Sequence, residues 1–138
     1  MSYLLDTNVI SETIRNTPDA AVIRWLRQVP DDHLYVSVLS LGEMRKGIER
    51  MPPGTRRERL RLWLEYDLAA WFADRVLPVD QAVADRWGRL LGAADRSLPA
   101  IDSLLAATAL HHELRLATRN VHDFSLPGLE VINPWTWP

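Results

Sequence analysis

Apolar positions along the chain alternate between short continuous runs and stretches with helical spacing. Tyr3-Leu4-Leu5 is an apolar run closed by Asp6, the pattern of a short buried strand. Val9 to Arg15 reads as helical. Pro18-Asp19 precedes a second helical pattern in which Val22, Ile23, Trp25 and Leu26 are apolar. Leu34-Tyr35-Val36-Ser37-Val38 is rich in β-branched and aromatic residues and predicts a second strand. Ser40, with Glu43 three residues later, has the form of a capping box and predicts a helix running toward Arg50. Pro52-Pro53-Gly54 breaks the chain.

From Thr55 to about Ala73, Leu60, Leu62, Trp63, Leu68, Trp71 and Phe72 recur at helical spacing. Val76-Leu77-Pro78-Val79 predicts a third strand. Asp80 caps a helix carrying Val83, Trp87, Leu90 and Leu91 on one face. Pro99-Ala100-Ile101-Asp102 opens a helix reaching about His112. Leu114 to Ala117 is a fourth strand, Thr118-Arg119-Asn120 a loop, and Leu129 to Ile132 a last strand stopped by Asn133-Pro134. Parallel strands need long crossovers, so strands separated by helices imply a mainly parallel sheet covered on both faces. The expected fold class is α/β, a three-layer α/β/α sandwich. There is no internal repeat, low-complexity segment or linker, so residues 1–138 are expected to form a single domain.

Composition narrows the chemistry. There is no cysteine, which excludes a disulfide framework, a thiolate zinc site and a cysteine nucleophile. The N-terminus lacks a basic leader, and no apolar run approaches the ~18–20 residues of a membrane span. Both features point to the cytoplasm and away from a membrane. The formal net charge of −2 argues against a globally basic nucleic-acid binder. Yet of the 16 basic side chains only Lys46 is lysine, and arginine suits bidentate phosphate recognition as well as reflecting genome base composition.

The acids stand at element ends. In open α/β sheets, sites form at the carboxyl ends of strands. Asp6 follows the first strand, Glu43 opens the helix after the second, Asp102 opens the helix leading to the fourth, and Asn120 and Asp123 follow the fourth. Each has a local explanation as a cap, a capping-box acid, a dipole complement or a turn residue. Jointly, they put oxygen ligands at matching ends of successive units. Crowded carboxylates repel and are costly to bury without a counter-charge. A hard divalent cation removes that cost, and oxygen ligands without thiol or a His pair favour Mg²⁺ or Mn²⁺ over Zn²⁺.

Five segments carry a family resemblance. Leu4-Leu5-Asp6-Thr7-Asn8-Val9-Ile10-Ser11-Glu12 resembles the opening of PIN-domain proteins of the VapC and FitB type, toxins of type II toxin–antitoxin pairs. Ser37 to Gly47, Ile101 to Ala109, Ala117 to Phe124 and the closing Val131-Ile132-Asn133-Pro134-Trp135 are similar to the same family, in order. The resemblance implies a PIN-like fold and a Mg²⁺-dependent endoribonuclease held inactive by a cognate antitoxin, working as a homodimer or within a larger toxin–antitoxin complex. It puts catalytic acids at Asp6, Glu43 and Asp102, with Asp6 and Asp102 holding the metal and Glu43 acting on the attacking water. The family's fourth acid falls on Asn120, so Asp123 is the candidate for its carboxylate. That departure bears on a second metal. Asn8 and Thr118 resemble residues that orient ligands or water.

The remaining candidates are less specific. Arg45, Lys46, Arg50, Arg56, Arg57, Arg59 and Arg61 crowd one span, either as a phosphate-contacting rim beside the acids or as a solvated face of ion pairs. Arg45, Lys46 and Arg119 are the candidate substrate contacts. His33, His111, His112 and His122 lack zinc-ligand spacing, and adjacent His111 and His112 are expected on the surface at different sides of a helix, while His122 lies near the acidic loop. Trp25, Trp63, Trp71 and Trp87 fall on apolar helical faces and are expected in core or interface; Trp135 and Trp137 are expected on a sheet edge or partner. The rival reading is a PIN-like module that binds RNA or a partner without cutting. A phosphatase or phospho-receiver is disfavoured because Asp6-Thr7-Asn8 lacks the second Asp of an Asp-x-Asp nucleophile motif.

Overall fold

The computed structural model describes residues 1–138. Five short strands, β1 (Tyr3–Leu5), β2 (Leu34–Ser37), β3 (Val76–Leu77), β4 (Arg115–Ala117) and β5 (Val131–Ile132), form one sheet in the order β3-β2-β1-β4-β5. Every pairing is parallel, with Tyr3 opposite both Leu34 and Arg115, Val36 opposite Val76, and Leu116 opposite Val131. The helices are α1 (Thr7–Glu12), α2 (Ala20–Gln28), α3 (Val38–Glu49), α4 (Thr55–Leu62), α5 (Ala69–Phe72), α6 (Gln81–Ala93) and α7 (Ala100–His111). None is long and apolar enough to cross a membrane.

Strand alternation builds two cores. Leu5 and Ala117 face one, where Val9, Trp25, Met44, Leu68 and Phe72 pack from α1 to α5. Leu4 and Leu116 face the other, with Leu105, Ala106 and Ala109 of α7 and Phe124. The chain steps outward from β1 to β2 to β3, then jumps back past β1 to β4. With right-handed crossovers, that reversal puts α6 and α7 on the face opposite α1 to α5. The result is the expected three-layer α/β/α arrangement.

Most element ends follow from local chemistry. Asp19 caps α2, its Oδ1 accepting from Ala21 N at 2.9 Å and Val22 N at 3.3 Å, and Asp80 caps α6 by accepting from Val83 N at 3.0 Å. β3 stops at Leu77 because Pro78 has no N–H to donate to a ladder. The fourth and fifth strands are shorter than expected, starting at Arg115 and Val131.

Three local expectations are corrected. The first helix spans Thr7–Glu12 rather than Val9 to Arg15. Asp6 starts it early, and the buried Glu12 carboxylate, accepting from Asp19 N at 2.8 Å, ties the following turn back and ends it. Second, Ser40 is not a cap. β2 ends at Ser37, whose Oγ accepts from Leu39 N at 3.0 Å, so α3 is already under way at Ser40. The stripe Ser40, Met44 and Ile48 faces the core at four-residue spacing, which turns Glu43 outward and leaves the buried Ser40 Oγ without a partner. Third, the long amphipathic segment contains a π-helical turn, Trp63–Leu68, between α4 and α5. Its core-facing Leu60, Leu64, Leu68 and Phe72 recur every four residues. An α-helix drifts by about 40° over each such step, and a wider turn absorbs the drift.

The capping correction is testable by equilibrium urea denaturation. Ser37→Ala is expected to cost about 1 kcal/mol, the usual value of a lost N-cap. Ser40→Ala, which removes an unsatisfied buried hydroxyl, is expected to be neutral or stabilising. The reverse order of stabilities would restore Ser40 as the cap.

Candidate active site

The strand order makes β1 central and places the reversal of chain direction between β1 and β4. A crevice opens at the carboxyl ends of strands at such a switch point. Asp6 is the first residue beyond β1 and Thr118 the first beyond β4, held side by side by the backbone bond from Asp6 N to Ala117 O at 2.9 Å.

Asp6 is 7% exposed. Its Oδ1 accepts from Thr7 N at 2.7 Å, which caps α1, and its Oδ2 accepts from Thr118 Oγ1 at 2.8 Å. The fully buried Thr118 hydroxyl is a hub, since its oxygen also accepts from Asn120 N at 3.1 Å and Asn8 Nδ2 at 3.4 Å. Asn8 Oδ1 in turn accepts from Arg119 N at 3.4 Å. Asn8, Thr118 and Asn120 therefore act together on the loop after β4 and on one carboxylate.

Glu43 projects from the second turn of α3 and its Oε1 accepts from Thr7 Oγ1 at 2.7 Å. It closes no capping box; it is fixed from α1 instead. Thr7 is the residue that sequence reading left without a role. Its only signal in the sequence was a hydroxyl directly after the central acid. Asp102 is half-buried in the first turn of α7, and Asp123 is exposed in the 3-10 turn Val121–Phe124 beside the exposed Asn120.

The acids share one electrostatic environment. Burial pushes the Asp6 carboxyl above the ordinary aspartate value, the hydrogen bonds from Thr118 and Thr7 oppose this, and the charges of Asp102 and Glu43 add to the rise. Asp102 is also raised, by partial burial and then by Asp123 and Glu43. Repulsion between carboxylates is the signature of a site short of positive charge. No three His, Asp or Glu side chains are arranged to hold a metal ion unaided. A hard cation that keeps several waters does not need three, because Mg²⁺ is usually bound through one or two carboxylates. The donor set, all oxygen and net negative, fits such an ion, with Asp6 and Asp102 able to hold it.

Three of the six arginines in the Arg-rich span are ion-paired, while Arg50, Arg56 and Arg59 are exposed and unpaired. Arg45 pairs with Glu65 at 2.8 Å, Arg57 with Glu49, and Arg61 with Glu58 and Glu65. Lys46, one turn beyond Glu43 on α3, is exposed and unpaired. Arg119 is exposed, its guanidinium 5.2 Å from the centre of the Trp135 ring. The His111 and His112 rings do not diverge to separate surfaces. They meet edge to face at 4.7 Å, and His112 is partly buried with Nε2 unpartnered. Its pKa is lowered by burial and by His111. His122 is exposed in the Asp123 turn, and Trp87 donates from Nε1 to Ser103 Oγ at 2.9 Å.

The raised carboxyls make a pH prediction. The folded state keeps protons on Asp6 and Asp102 at pH values where the unfolded chain has released them, so the unfolded state binds fewer protons and stability falls with rising pH across that window. The window runs from the ordinary value of 3.8 up to the raised folded values. Urea midpoints measured in a chelator across mildly acidic pH should show Asp6→Asn and Asp102→Asn flattening this slope. A slope identical to the parent protein's would refute the rise of these two carboxyls in the folded state.

Comparison with known proteins agrees with the geometry. The PIN domain model matches residues 3–125. The chain is 38% identical over 135 residues to the VapC ribonuclease Y4jK of Sinorhizobium fredii, covering 96% of both proteins. It is 36% identical over 135 residues to the toxin FitB of Neisseria gonorrhoeae, covering 96% of this chain and 97% of that one. The solved structure of FitAB bound to a DNA fragment superposes with a TM-score of 0.90 at 33% identity, covering 99% of this chain and 97% of that chain. With matching sequence along its length and a sheet reversal that carries the acids, the chain belongs to the PIN-domain family, among the VapC and FitB toxins.

Proposed function

We propose that this protein is a Mg²⁺-dependent endoribonuclease, the toxin of a toxin–antitoxin pair. The observation that carries the proposal is the Asp6 carboxylate, buried at the switch point and pushed up in pKa among Asp102, Glu43 and their neighbours. The names of the VapC ribonuclease and FitB toxin relatives support the activity, and the FitAB structure supports a protein partner. The partner is a cognate antitoxin, the working form a cytoplasmic homodimer that joins it in a larger complex, and the substrate RNA.

Asp6 and Asp102 would hold Mg²⁺ (or Mn²⁺), which would supply Lewis-acid polarisation of a phosphoryl oxygen and offset the charge of the acids. Asp6 is oriented by Thr7 N and Thr118 Oγ1, each of which donates to one of its carboxylate oxygens. Glu43 is held by Thr7 through Oε1, and its Oε2 has no protein partner. That oxygen takes the proton of the attacking water as the water oxygen bonds to phosphorus. The bond from phosphorus to the departing sugar oxygen breaks, and that oxygen is protonated from solvent. Asp123 sits where it raises Asp102 and extends the negative field, and Asn120 keeps an oxygen without the charge of an acid. This arrangement supports one metal rather than two.

Cleavage of RNA by the purified protein with Mg²⁺ or chelator tests the reading. Glu43→Gln is expected to lower the rate about 10²–10⁴-fold, the range of a lost general base. Thr118→Val, which leaves the acids in place but unsupported, should cost about 10–100-fold. Asp6→Asn and Asp102→Asn should also lose the rise in melting temperature that Mg²⁺ gives the parent protein. Undiminished cleavage in chelator or by Asp6→Asn would overturn the mechanism. RNA binding without products would leave the non-cleaving module.

A further inference from the structure

Arg119 follows the Thr118 hub directly, and its own N–H reaches Asn8 Oδ1 at 3.4 Å. It therefore stands beside the acid-rich crevice. A guanidinium so placed would be expected to pair with an acid, yet Arg119 takes part in no ion pair and its side chain makes no hydrogen bond. Instead it rests over Trp135, 5.2 Å from the ring centre. Trp135 is fixed in turn. It follows β5 at the same carboxyl edge of the sheet, its N–H donates to Asn133 Oδ1 at 2.9 Å, and its ring packs against the core on the α1–α5 side. The positive charge of Arg119 is thus parked on an aromatic ring, which attracts a cation without neutralising it.

This placement has two consequences. The acids are left uncompensated, as a metal requires, and the guanidinium keeps all its N–H donors, with its reach restricted by the ring. A planar fork steadied over an aromatic ring and free of carboxylates suits bidentate binding of a phosphodiester. The paired Arg45, Arg57 and Arg61 lack that freedom. We propose that Arg119, held by Trp135, binds a non-scissile backbone phosphate of the RNA strand and sets its register across the acids. The inference rests on the reading of the substrate as RNA, and Trp135 is a positioning residue acting through Arg119.

The test uses binding without cleavage, so it does not depend on the acids cutting. Anisotropy of a labelled, single-stranded 2′-O-methyl oligoribonucleotide is measured in chelator over a range of salt. One phosphate contact on a single strand contributes about 0.7 to the slope of log affinity against log salt. Arg119→Ala should weaken binding several-fold and reduce the slope by about that amount. Arg119→Lys should keep the slope while losing affinity, and Trp135→Leu, checked for an intact melting transition, should do the same. In a scan of single methylphosphonates, one position should reproduce the loss in the parent protein and cause no further loss in Arg119→Ala. Unchanged affinity and slope in Arg119→Ala would overturn the proposal, as would lost affinity at constant slope, which marks base stacking. Cleavage failing while this pattern holds would count against the nuclease reading alone, and a parent protein that binds no RNA would overturn both.

Discussion

A carboxylate buried at the end of the central strand of a parallel sheet is hard to keep ionised, and the structure is arranged around that difficulty. Burial alone favours the protonated form of Asp6, and nearby acids push the same way. Two donors hold against them, the Thr7 backbone N–H and the Thr118 hydroxyl. Both are consequences of the fold. The first exists because α1 begins at once after β1, and the second because β4 lies beside β1 although 112 residues separate the two partners. Remaining repulsion is not relieved by any side chain. Of the arginines near in sequence, Arg45, Arg57 and Arg61 are engaged with other carboxylates and Arg119 lies over Trp135. The cluster is left short of positive charge, and the proposed binding of a cation rests on that shortage.

The same constraint explains the second layer of contacts. Thr7 uses its N–H on Asp6 and its hydroxyl on Glu43, so one residue couples the acid that follows β1 to the acid on α3. Thr118 donates once and accepts twice, coupling Asp6 to Asn8 and to the loop carrying Asn120. Neither threonine is charged, which matters in a crevice where another charge would shift the acids again. Neutral hydroxyls can orient carboxylates without changing the net field.

Fold class was legible because the two apolar periods differ clearly and because Pro and Gly separate them. The positions of Asp6, Asp102 and Asp123 at element ends were legible for the same reason. What could not be read was competition between adjacent candidates. Ser37 and Ser40 are both good caps, and the choice depends on which register buries Met44 and Ile48, a tertiary fact. The role of Thr7 depends on α3 lying alongside α1. The Arg-rich span could not be assigned either, since its partner Glu65 sits on the π turn, whose existence follows from packing Leu64 and Leu68 together.

Net charge was the least informative quantity of all, and the structure shows why. A total of −2 contains a crevice of mutually repelling acids, a helical surface where some arginines and glutamates cancel in pairs, and a guanidinium lying over a tryptophan ring. Coulomb interactions between exposed charges fade over about 10 Å at ordinary salt, so a ligand meets these regions separately rather than their sum. Arginine is also not interchangeable with lysine here. Cancelling in pairs could be done by either, but a bidentate fork of donors beside an indole ring requires guanidinium. Where such a residue stands matters more for nucleic-acid contact than how many the chain contains.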